Sequence, residues 1–174
     1  MSVQNACDLV LLAILGVAVV LDFRFLRISN RLILFGIVLA ICLHLAIYGL
    51  EGILSVLWNI SFPVIVLYLF YLVGALGAGD IKLFSVIGGF VNFRMLVNTM
   101  AFALVIGAAY ALVKLLCARE LRVRIISGLM HLWRVAGGEN SPYPKELTQG
   151  KNVIHFSLPV LLGTIAAMVL ELLV

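Results

Sequence analysis

Six apolar runs, separated by short polar breaks, make up most of this 174-residue chain. A helix needs about 20 predominantly apolar residues to cross a bilayer. On that basis the runs predict spans over about 6–21, 32–50, 53–76, 78–96, 95–116 and 153–174. The second run is interrupted only by His44, and Glu51 and Gly52 mark a tight turn into the third, which carries Asn59 and Pro63. The fourth is firmly apolar only over 83–93. It reaches spanning length when counted from Ala78, with Lys82 extending its ammonium toward the interface. Between the fifth and sixth runs lies a polar, basic stretch, 118–152. Within it Leu121, Ile125, Leu129, Leu132 and Trp133 recur at helical spacing beside Arg122, Arg124 and Arg134. That pattern predicts an amphipathic helix lying in the membrane interface.

Composition fits this reading. The chain is 64% hydrophobic and only 11% charged, against about a quarter charged in soluble domains. The expected class is an all-α integral membrane protein, one polytopic domain over 1–174. In such a chain the net charge of +4 reports topology and gives no reason to expect nucleic acid as a partner. With the N-terminus outside and six crossings, eleven of the twelve Lys and Arg fall on the inner side, leaving only Arg94 outside. If the fourth run does not cross, the basic cluster from Arg119 to Arg134 moves outside, against the positive-inside rule. Both termini are therefore expected outside, with 118–152 as an inner loop. The N-terminal run has no basic region ahead of it and carries Asp8, so it is expected to be retained and not cleaved as a signal peptide. Cys7, Cys42 and Cys117 form no CxxC pair and no disulfide framework. No pair of histidines has metal spacing, and no metal or other cofactor is expected.

The charge argument also places Asp22 and Asp80 at the same inner face, at the ends of the first and fourth spans. Asp80 lies in Gly77-Ala78-Gly79-Asp80-Ile81-Lys82, where a charged pair is costly at membrane depth. Two neighbouring carboxylates cannot both ionise cheaply and hold one proton between them. An aspartic protease needs that arrangement: one Asp takes a proton from the attacking water, and the protonated one polarises the scissile carbonyl. Gly77 and Gly79 leave room beside the pair for an extended peptide. No G-x-S-x-G occurs, so a serine mechanism has no support.

These residues resemble a known family. Gly77-Ala78-Gly79-Asp80, with Lys82 two residues on, is similar to the GxGD signature of type IV prepilin peptidases. Asp22-x-Arg24-x-x-Arg27-Ile28-Ser29-Asn30 resembles that family's first-aspartate motif, with Ser29 where proline is usual. The resemblance implies Asp22 and Asp80 as the catalytic pair, with Gly77, Gly79, Lys82 and Asn30 shaping the site or binding substrate. It implies an aspartic endopeptidase of the inner membrane, its active site facing the cytoplasm. Its partners are prepilins or pseudopilins bearing a short basic leader, cut typically after a glycine, in pilus biogenesis or protein secretion. The short length resembles the Flp/Tad-pilus type. Larger relatives carry an N-terminal insertion with paired cysteines and methylate the product, so cleavage without N-methyltransferase activity is expected here. Presenilin-like proteins share GxGD but pair it with a Tyr-Asp motif, whereas Leu21 precedes Asp22. Archaeal preflagellin peptidases share the prepilin logic and stay open on sequence. Two other classes also remain: a small transporter or channel with Asp80 and Lys82 on a polar path, and a non-catalytic pilus assembly factor.

Overall fold

The computed structural model describes residues 3–73, 75–117 and 155–173. The described residues are helical, with no strand: α1 (Val3–Phe25), α2 (Asn30–Tyr48), a 3-10 turn (Gly49–Gly52), α3 (Ile53–Leu72), α4 (Ala78–Phe90), α5 (Phe93–Cys117) and α6 (Ser157–Leu173). Stretches of α1 (Ala6–Phe25) and α5 (Phe93–Lys114), with α2 and α3, are long and apolar enough to cross a membrane. The predicted interfacial helix falls at 118–152, outside the described residues.

Several boundaries differ from the hydropathy reading, each for a local reason. α1 continues through Asp22 into Phe25, because extending a helix already nucleated costs little even at a poor helix former such as Asp. It stops where Leu26 turns left-handed (φ 55°) and its N–H bonds the Asp22 carbonyl at 2.9 Å, closing the helix end. α2 starts at Asn30, capped by Ser29, whose hydroxyl accepts from the Arg31 N–H at 3.3 Å. The expected fourth span, 78–96, is in fact a 13-residue helix and the start of the next one. Val91 is extended, and Asn92 caps α5 by accepting from the Met95 N–H at 2.8 Å.

The short α4 is the hub of the bundle and touches the other five described helices. Its residues Leu83–Gly89 are all buried. Small residues make this possible. A Cβ at Gly88 would run into the backbone carbonyl of Asn59 on α3, and one at Gly36 of α2 would lie 2.7 Å from Val86. Close backbone approach of this kind replaces the hydrophobic drive that lipid cannot supply. Outward, Leu34, Phe35, Leu54, Ile65 and Leu69 stand exposed on α2 and α3, a surface suited to acyl chains and not to water.

At its far end α4 stops level with Asn59, whose side-chain amide donates to the Val91 carbonyl at 3.1 Å. Asn59 is the seventh residue of α3, so α4 ends roughly 9 Å inside the bundle, taking about 1.5 Å of rise per residue. The space left is a cavity of about 360 Å³ lined partly by His44, Asn59, Asn92 and Glu171. Asn92 donates to Glu171 there at 2.7 Å and so ties the start of α5 to the end of α6.

Candidate active site

The opposite end of the bundle gathers the C-terminal turn of α1 and the N-termini of α2, α4 and α6. Asp22 sits in the last turn of α1 and Asp80 in the first turn of α4. α1 and α4 pack against each other, and α6 touches both. The two aspartates, 58 positions apart (22 to 80) in sequence, thus lie at the same end of the bundle.

Asp80 is the third residue of α4, and Gly77 is its N-cap. The Gly77 N–H donates to Asp80 Oδ2 at 3.1 Å. This is the carboxylate half of a capping box; glycine has no side chain to return the bond. A Cβ on Gly77 would lie 3.0 Å from Asp80 Oδ2, tighter than most such contacts. Gly79 is different: a Cβ there would meet Ile28 at an ordinary 3.6 Å. Packing therefore favours glycine at 77 and leaves 79 open.

Lys82 and Asn30 also come together. The Lys82 ammonium donates to Asn30 Oδ1 at 3.1 Å, joining α4 to the start of α2. Ser29 has φ −66°, ψ 127°, the backbone conformation a proline ring fixes. The departure from proline thus keeps the local geometry and adds a helix cap.

Asp22 has partners that local sequence patterns do not reveal. The hydroxyl of Ser157, fully buried at the start of α6, donates to Asp22 Oδ2 at 2.6 Å. His155 Nδ1 lies 3.5 Å from the same oxygen. That is within ion-pairing range for a protonated imidazole but is not aligned as a hydrogen bond. The imidazole stacks on Phe23, centroids 4.4 Å apart. Between them Phe156 packs edge-on to Phe84 of α4 and against Gly107 of α5, which has no room for a Cβ. Three consecutive residues, 155–157, thus fasten α6 to α1, α4 and α5 beside the aspartates. The only signal in the sequence is a serine and Pro159 opening an apolar run, the mark of a helix start and not of a site.

The other polar residues noted in sequence lie elsewhere. His44 stacks on Tyr48 and lines the far cavity, as does Cys7 next to Asp8. Among the described residues no group of three His, Cys, Asp or Glu side chains is placed to hold a metal ion.

No curated protein and no solved structure matches the chain. A model of the type IV leader peptidase family matches residues 9–112, more than half of the chain and the part that carries both aspartates. The chain belongs to the type IV leader peptidase family, and with it to the membrane peptidases.

Proposed function

We propose that this chain is an aspartic endopeptidase of the inner membrane that removes the short basic leader of prepilins or pseudopilins, with Asp22 and Asp80 as its catalytic pair. The observation that carries the reading is that both carboxylates lie at one end of the bundle, Asp80 held by the Gly77 N–H and Asp22 by the Ser157 hydroxyl. In this reading the pair shares one proton. The ionised aspartate takes a proton from water as the water oxygen bonds the scissile carbon. The protonated one gives its proton to the carbonyl oxygen, forming a gem-diol. As the C–N bond breaks, the amine takes the proton held by the first aspartate and a hydroxyl of the diol returns one to the second, which restores the pair. Gly77 and Gly79 leave backbone open to an extended peptide, and the Lys82–Asn30 bond holds the α2 and α4 starts in register around it.

The proposed topology places this end at the cytoplasmic face, with six crossings and both termini outside. The α4 helix, at roughly 20 Å, is shorter than the hydrocarbon core, and it is buried among the other five described helices. Its ends can therefore be met by protein and by water-filled space, where irregular backbone is tolerated.

The test is reconstitution of the full chain in liposomes with a synthetic substrate, a short basic leader ahead of an apolar helix, read by mass spectrometry. Cleavage at the leader boundary is expected. An intact substrate together with a proton or ion flux through the protein contradicts the peptidase reading and favours a transporter.

A further inference from the structure

We propose that Ser157 is a positioning residue that holds Asp22 as the ionised, water-activating member of the pair. This rests on the peptidase reading above and deepens it. Ser157 lies outside the part of the chain that the family model matches. It is fully buried, and its hydroxyl has a single proton, which it gives to Asp22 Oδ2 at 2.6 Å. An oxygen held as an acceptor in this way is not the one that carries the shared proton, and donors around a carboxylate favour its charged form. His155 Nδ1, 3.5 Å from the same oxygen, adds positive charge on that side when the imidazole is protonated. Asp80 has a backbone donor, from Gly77, at 3.1 Å. Among the described residues each carboxylate has one hydrogen-bond donor, and the shorter bond, from a buried hydroxyl, is at Asp22, so negative charge settles there and Asp80 carries the proton.

The ionisable groups near Asp22 do not reverse this assignment. From α4 there is Asp80 itself, and Lys82 is turned onto Asn30 of α2. From the α6 side there is His155. Arg24 on α1 and Arg31 on α2 are exposed. The bond is also mechanically firm, because Phe23 stacking on His155 and Phe156 seated against Gly107 fix the backbone that carries Ser157. Ser157 thereby sets the rotamer of Asp22.

The experiment compares wild type, Ser157→Ala, Ser157→Cys and Asp22→Asn in liposomes, using the synthetic basic-leader substrate. For Ser157→Ala the expected result is a fall in kcat of about a hundredfold, the scale of a small misplacement of a reacting group, with KM within about twofold of wild type and an unchanged melting temperature. Ser157→Cys keeps the volume with a weaker donor and is expected to fall between the two. Wild-type kcat in either variant overturns the proposal, as does a loss that tracks a lowered melting temperature in both. Cleavage at the wild-type rate by Asp22→Asn overturns the two-aspartate mechanism on which this proposal rests, whatever Ser157 does.

Discussion

The Lys82 ammonium donates to Asn30 Oδ1 at 3.1 Å, across 52 residues of sequence. Both residues are exposed, so this bond contributes little to stability, roughly 0.2–1 kcal/mol by comparison with exposed ion pairs. Its value lies in holding the starts of α2 and α4 together beside Asp80. Lys82→Ala and Asn30→Ala are each expected to slow leader removal while leaving the melting temperature within a few degrees. The double substitution is expected to be no slower than the worse single one. A double-mutant cycle on the processing rate checks this; additive losses would show that the two side chains act separately.

Asp80 caps α4, and in the proposed mechanism it is also a reacting group. Asp80→Asn keeps an oxygen for the Gly77 N–H, and Asp80→Ala does not. Both are expected to abolish cleavage, but only the alanine variant loses the cap, at about 1 kcal/mol. Denaturant titration of the two in matched detergent measures the difference. Equal stability contradicts the capping geometry.

The glycines divide in the same way. Gly88→Ala places a methyl group into the Asn59 backbone carbonyl, which cannot rotate aside, and is expected to cost the upper part of the roughly 1–3 kcal/mol typical of overpacking, or more. Gly79→Ala meets Ile28 at 3.6 Å and is expected to leave stability unchanged or slightly raised, yet to slow processing if peptide passes over that backbone. Insertion level and melting temperature, read beside the cleavage rate, separate the two behaviours.

Much of this architecture is legible in the sequence because hydropathy and charge act over whole helices. The apolar runs locate the helices, and the distribution of Lys and Arg by itself puts Asp22 and Asp80 on one side. The ends of the elements are less legible because single side chains set them. Asn92 divides the expected fourth span by capping α5, and Leu26 ends α1 in a conformation that its identity does not announce. The partners of Asp22 are the hardest to read. Ser157 is 135 residues away, and only packing of α6 against α1 and α5 brings it there.

The proposed topology makes a direct prediction. Cysteine placed at Arg27, near the aspartate end, is expected to react with an impermeant maleimide only in inside-out vesicles. Cysteine placed at Arg94, at the start of α5, is expected to react only from the outer side. Both labels from one side contradict the arrangement of helix ends described here, and reversal of the two contradicts the assignment of the aspartates to the cytoplasm.

The central claim is that Asp22 and Asp80 act together on a peptide bond. Its most direct measurement is co-expression of a prepilin with wild type, Asp22→Asn or Asp80→Asn, followed by gel shift and mass spectrometry of the leader. The prediction is leader removal by wild type and none by either variant, each inserted at the normal level. Leader removal at the wild-type rate by either variant contradicts a two-aspartate mechanism for this chain.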